Sequence, residues 1–164
     1  MLLRSKVIKY GDDINTDVIY PGRYLEIIDA NEMAKHAMED LDENFHEKVK
    51  EAKIIVAGKN FGCGSSREQA ATCLKYAGIE AIIAKSFARI FFRNAINKGL
   101  IAIECKDVDK INDGDELEID VENGKIRNLT KNEEYEVKPL PPFLLKIIKA
   151  GGLIEYLKEG KNEV

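Results

Sequence analysis

Three short apolar runs constrain this chain more than anything else in it: Ile54-Ile55-Val56-Ala57, Ala81-Ile82-Ile83-Ala84 and Leu100-Ile101-Ala102-Ile103-Glu104-Cys105. A strand that is apolar on both faces requires a sheet covered on both sides. Between the runs lie two helix-patterned segments, Ser66 to Tyr76, stopped by Gly78, and Phe87 to Asn97, ended by Gly99. Strand, helix, strand, helix, strand in so short a stretch implies parallel strands joined by right-handed crossovers. The fold class is therefore α/β with a parallel core.

The flanks read differently. Lys6 to Tyr10 alternates as a short strand, and Gly11 to Asp17 is a polar loop with three aspartates. Val18-Ile19-Tyr20 is apolar and stops at the turn signal Pro21-Gly22. Asp29 and Glu32 form a capping pair for a helix over Ala30 to Glu39, with Met33, Ala34, Ala37, Met38 and Leu41 on one face. The charged segment Asp40 to Lys50 is expected to be exposed, and the region Asp29 to Lys50 to be mobile. Beyond Lys106, Gly114 to Val121 alternates with period two, Asn123-Gly124 is a hairpin turn signal, and Lys125 to Leu129 pairs back, with Tyr135 to Val137 as a further strand. Pro141-Pro142 opens a helix over Phe143 to Ala150, Gly151-Gly152 breaks it, and Leu153 to Lys158 adds a last turn or two. The whole, residues 1–164, reads as one domain with a β-hairpin appendage.

Composition removes several function classes. With 29 acidic and 25 basic residues the net charge is −4, which argues against nucleic acid as a partner. No apolar run approaches the roughly 20 residues of a membrane span. The start, Met1 to Lys6, lacks the apolar stretch of a signal peptide, so a cytoplasmic location is expected. The three cysteines, Cys63, Cys73 and Cys105, fit no zinc or iron–sulfur spacing and read as reduced thiols. Cys63 stands apart because it lies inside a glycine loop at a helix start, where thiols are acidified.

That loop, Gly58-Lys59-Asn60-Phe61-Gly62-Cys63-Gly64-Ser65-Ser66-Arg67-Glu68, is where chemistry is expected. A strand that ends in a glycine turn and opens a helix exposes backbone N–H groups, and the helix dipole adds positive potential for an anion. Arg67 can grip a carboxylate in bidentate fashion. A deprotonated Ser65 or Ser66 could take a proton from carbon beside a carboxylate if its charge is stabilised by such donors. The plainer alternative is that the serines cap the helix and Arg67 pairs with Glu68 or another carboxylate. No histidine lies nearby to activate a serine: His36 and His46, the two in the chain, fall in a charged, surface-like region. The Gly-x-Ser-x-Gly turn and the P-loop are both absent. Asp12, Asp13 and Asp17 could bind a metal, orient an arginine or simply build an Asx-rich turn. Arg89 and Arg93 stack one turn apart, as a solvated edge or as anchors for an anion or partner.

Four blocks in order, Gly11 to Asp17, Pro21 to Leu25, Gly62 to Glu68 and Ser86 to Ala95, resemble the small subunits of the aconitase-type hydro-lyases. Isopropylmalate isomerases and archaeal homoaconitases are the nearest of these. The resemblance implies the swivelling β/β/α domain at the end of aconitase. It implies assembly with a large subunit, as a heterodimer or heterotetramer, that carries a [4Fe–4S] cluster, with no metal on this chain. The implied reaction moves a hydroxyl of a small hydroxy di-acid to the neighbouring carbon by dehydration and rehydration. By the same matching, Ser65 is the base, Asp17 supports catalysis, and Gly64, Ser66 and Arg67 bind a substrate carboxylate. Substrate choice in the family turns on the segment Tyr24-Leu25-Glu26-Ile27-Ile28. An arginine at position 26 would resemble homoaconitases and an apolar residue isopropylmalate isomerases; Glu26 is neither. Its charge repels a third carboxylate, and Ile27 or Ile28 supplies an apolar contact, so isopropylmalate in leucine biosynthesis is preferred over homoaconitate, citramalate or dimethylmalate. A carboxylate-binding module without catalysis is the alternative of another class.

Overall fold

The computed structural model describes residues 1–162. Seven strands, β1 (Leu2–Lys9), β2 (Ala52–Ala57), β3 (Ala81–Ala84), β4 (Ile101–Glu104), β5 (Glu116–Asp120), β6 (Lys125–Asn128) and β7 (Glu133–Glu136), lie in one sheet. Their order is β4-β3-β2-β1-β5-β6-β7. The apolar runs became its parallel half: β1, β2, β3 and β4 pair in parallel, and every residue of β3 is buried. The expected hairpin is antiparallel, and its buried positions alternate as the sequence does.

The hairpin is not a separate lobe, because β1 belongs to both halves. Lys6 to Lys9 pairs with β2, while Leu2 to Lys6 pairs antiparallel with β5. The strand begins four residues earlier than the alternation from Lys6 suggested. Leu2 is 66% exposed and gives that early segment no clean amphipathic pattern.

Seven helices complete the described chain: α1 (Thr16–Ile19), α2 (Ala30–Ala34), α3 (Phe45–Lys48), α4 (Glu68–Ala77), α5 (Arg89–Asn97), α6 (Pro142–Ala150) and α7 (Leu153–Asn162). The first three occupy the long crossover from β1 to β2. The helix expected to reach Glu39 stops at Ala34. Asp29 caps it as expected, accepting from the Asn31 and Glu32 N–H groups, but Glu32 pairs with Lys35 rather than reaching back. Further on, Met38 adopts φ +60° and donates its N–H to the Ile19 carbonyl at 2.8 Å, a bond the helical ladder would otherwise claim.

Asp40 to Lys50 is mostly exposed, as its charge suggested, yet it is anchored to the body of the protein. Phe45 and Val49 are buried, and Asp42 ties the segment to β1 by accepting from Tyr10 Oη and Lys48 Nζ. Two apolar residues four apart hold it down through a coat of charge. Neither histidine is a free surface group. His36 stacks on Tyr24 with ring centroids 3.7 Å apart, and His46 stands edge-on to Phe45.

The glycine turn after β2 packs against α5. Gly62 has φ +83°, and a Cβ there would lie 2.2 Å from Phe91 Cγ, inside an aromatic cluster with Phe61 and Phe87. Gly62→Ala combines backbone strain with overpacking and should cost at least about 2 kcal/mol, lowering the melting temperature by about 4–8 °C. Gly11→Ala, with open space around the new methyl, should melt within about 2 °C of the parent; equal melting of both variants refutes the close packing at Gly62.

Candidate active site

The C-terminal ends of parallel strands are where α/β sheets bind ligands, and the two marked sequence loops meet there. They are joined by backbone hydrogen bonds: Gly58 N–H to Gly11 O, Asp13 N–H to Lys59 O, Gly62 N–H to Ile14 O and Thr16 N–H to Cys63 O, at 2.8–3.0 Å. Asp12 and Asp13 serve this seam. Asp12 accepts from the Lys59 N–H at 2.7 Å and Asp13 from the Asn60 amide at 3.0 Å. Of the three aspartates, only Asp17 faces the arginine of the glycine loop.

Arg67 Nη1 donates to Asp17 Oδ1 at 2.6 Å and to the Tyr20 carbonyl at 3.1 Å. Glu68, its other sequence candidate, pairs with Lys98 instead. The guanidinium's Nε and Nη2 have no hydrogen-bond partner among the described residues, so its fork still has donors to offer. Arg67 itself occupies the N-cap position of α4 and no side chain caps that helix. The serines are therefore not caps: Ser65 and Ser66 stand exposed beside a helix start whose N–H groups are open to an anion.

Asp17 also accepts from the Gly22 N–H at 2.9 Å. The Arg67 and Gly22 bonds together hold its carboxyl below the ordinary carboxylate value. Through Gly22 the same carboxylate reaches the substrate-choice segment, which opens as a 3-10 turn over Gly22–Tyr24. Tyr24 faces away from solvent: its hydroxyl donates to Glu39 at 2.5 Å and its ring lies on His36. Arg23 joins the same cluster, donating to Glu39 and Asp40. Burial raises the Glu39 carboxyl, but hydrogen bonds from Tyr24, His36 and Arg23 outweigh it and leave a net lowering. Leu25 and Glu26 are exposed, Ile27 packs on the core, and Ile28 is 92% exposed. Ile28 lines an open groove of 770 Å³ with Met33, Glu68, Gln69 and Thr72, beside the start of α4; Ser65 and Arg67 are not on its wall.

One residue was not singled out in the sequence. Thr16 is 2% exposed, and its Oγ lies 2.9 Å from the Ser65 carbonyl oxygen and 3.2 Å from Ser65 Oγ. Gly64, with φ +102°, admits this approach, since a Cβ there would stand 3.3 Å from Thr16 Oγ. Nothing in the sequence marks a threonine 49 residues away as a neighbour of Ser65. Arg89 and Arg93 are exposed on α5 with no ion-pair partner among the described residues.

Among the described residues, no group of three or more His, Cys, Asp or Glu could hold a metal ion. Cys73 is buried and its thiol is pushed up by desolvation, as is that of Cys105. These thiols do not fit an iron–sulfur cluster. No described helix is long and apolar enough to cross a membrane.

The aconitase C-terminal domain family matches residues 7–108, which contain every site residue named above. A 3-isopropylmalate dehydratase small subunit of Caldicellulosiruptor bescii is 57% identical over 159 residues, covering 96% of each chain. One from Archaeoglobus fulgidus is 60% identical over 150 residues, covering 92% of this chain and 93% of the relative. A crystal structure of 3-isopropylmalate dehydratase from Methanocaldococcus jannaschii superposes with a TM-score of 0.92 at 52% identity, over 98% of this chain and 96% of that one.

Two measurements check the geometry. The Asp17 carboxyl should titrate below its ordinary value of 3.8, and Arg67→Met should return it toward that value in a carboxylate NMR titration. A depressed carboxyl stabilises the fold above its unfolded pKa and loses that contribution as pH falls through the folded one. Any loss of stability from this exposed pair is therefore confined to pH below about 4, and is small. Of the three thiols, half-buried Cys63 should react first with a thiol reagent, and Cys73 and Cys105 only on unfolding; three equal rates contradict the burial.

Proposed function

The chain belongs to the 3-isopropylmalate dehydratase small-subunit family, and on that footing we propose that it supplies the base and the carboxylate grip of a hydro-lyase completed by a large subunit. The reaction interconverts 2-isopropylmalate and 3-isopropylmalate through an alkene, a step of leucine biosynthesis in the cytoplasm. The observation that carries this reading is the convergence of Ser65, Arg67 and the side-chain-uncapped start of α4 at one exposed point. The relatives are named small subunits, which supports a larger partner chain.

Each group then has a role. Arg67, held by Asp17, turns its free donors onto a substrate carboxylate, and the Ser66 hydroxyl and Gly64 N–H add to that grip. Ser65 Oγ, as alkoxide, takes the proton from the carbon beside the carboxylate. The C–H electron pair becomes the new double bond as hydroxide leaves the adjacent carbon. In the second half hydroxide adds to the carbon that gave up the proton, and Ser65 returns that proton to the carbon that lost the hydroxyl. A [4Fe–4S] cluster on the large subunit would supply the Lewis acid for the hydroxyl. Exposed Glu26 disfavours a third carboxylate, and exposed Ile28 suits the isopropyl group.

The reconstituted two-subunit enzyme, assayed anaerobically on 3-isopropylmalate, tests this reading. Ser65→Ala should lower kcat at least about 10²-fold; full turnover removes Ser65 as the base. Arg67→Lys should lower kcat/KM by about 10²-fold through loss of the planar fork, and an unchanged kcat/KM refutes the grip. Turnover by the isolated chain would contradict the need for a large subunit.

A further inference from the structure

We propose that Thr16 is a positioning residue for Ser65, one that reverses the direction of its hydrogen bond when Ser65 loses its proton. The proposal rests on the reading of Ser65 as the base. Its physical ground is that Thr16 Oγ faces two oxygens of the same residue, the Ser65 carbonyl at 2.9 Å and Ser65 Oγ at 3.2 Å. A hydroxyl carries one hydrogen and two acceptor lone pairs. With Ser65 protonated, Thr16 donates to the carbonyl and accepts from the Ser65 hydroxyl, so both contacts are satisfied. With Ser65 deprotonated, no hydrogen remains between the two hydroxyl oxygens. Rotation about the Thr16 Cβ–Oγ bond then moves its hydrogen from the carbonyl to the alkoxide. One neutral bond is exchanged for a charge-assisted one, and no atom but that hydrogen need move.

The surroundings favour this use. Thr16 is 2% exposed while Ser65 is exposed, so the donor is shielded from water and the base is open to substrate. A preorganised donor in such a site costs no reorganisation as charge develops. Thr16 is fixed at both ends: its N–H bonds the Cys63 carbonyl at 2.8 Å, and its β-branched side chain has few rotamers. Of the charged groups on the framing elements, Asp17 pairs with Arg67, Glu68 with Lys98, and Asp12 and Asp13 accept from the Lys59 N–H and the Asn60 amide; Lys59 and Cys63 are the other titratable groups of the loop. Among these, Thr16 is the side chain that hydrogen-bonds Ser65 Oγ.

The test uses the reconstituted two-subunit enzyme with 3-isopropylmalate. Thr16→Val keeps the shape and removes the hydroxyl. It should lower kcat by about 10²-fold, as loss of one oxyanion donor does, while KM changes less than about threefold. It should also move the rising limb of the kcat–pH profile to higher pH, because the alkoxide has lost a donor. Thr16→Ser should restore kcat to within about threefold of the parent. If Thr16→Val fails to fold, Thr16→Cys, whose thiol is a much weaker donor, carries the same expectation. Unchanged kcat and pH profile in a folded Thr16→Val, together with a dead Ser65→Ala, overturn the inference about Thr16 alone. A loss in Thr16→Val that Thr16→Ser does not restore overturns it as well. Full turnover of Ser65→Ala strikes instead at the reading of the base.

Discussion

The seam between the loop after β1 and the loop after β2 is the constraint on which the site depends. Four backbone hydrogen bonds join them, and none needs a particular side chain. Such bonds form in a fixed register, so aligning one pair sets the next. Once Gly62 and Ile14 are paired, Thr16 must lie against Cys63, and Asp17 then comes within reach of Arg67. The glycines make the seam possible by keeping side chains out of it. The candidate site is therefore held by backbone hydrogen bonds at the ends of two adjacent parallel strands, the kind of rigid element on which precise sites are built.

Much of the fold was legible because burial leaves a plain trace. The runs at Ile54, Ala81 and Leu100 had to be strands covered on both faces, and their neighbours had to be helices. The glycine loop was legible as a candidate anion site because N–H groups, helix dipole and arginine share one short stretch. What the sequence hid was contact across distance. Asp17 and Arg67 are 50 residues apart, and Thr16 and Ser65 are 49 apart, joined only by the seam. Local patterning also failed where a few apolar residues outvoted many charges. Phe45 and Val49 pull Asp40 to Lys50 onto the body of the protein, and the Ile19 carbonyl takes the N–H of Met38 beyond the shortened helix.

A single carboxylate, that of Asp17, joins the arginine of the glycine loop to the turn at Gly22. One oxygen accepts from Arg67, which grips substrate in the proposed reaction, and from Gly22, which leads into the substrate-choice segment. Glu39 anchors that segment from its far side through Arg23 and Tyr24. Leu25, Glu26 and Ile28 follow these anchors in the chain and are exposed.

The divided pairing of β1 has a consequence for how the protein is made. Its second half pairs with β2, the next strand in the chain, and both candidate-site loops lie on that side. Its first half must wait for β5, where Leu2 meets Asp120. Domains fold as units, so until β5 is made that first half has no partner on its outer side. During that interval Leu2 to Ser5 offers an unpaired strand edge, the kind that recruits other chains. The late hairpin therefore closes the protein as much as it extends the sheet.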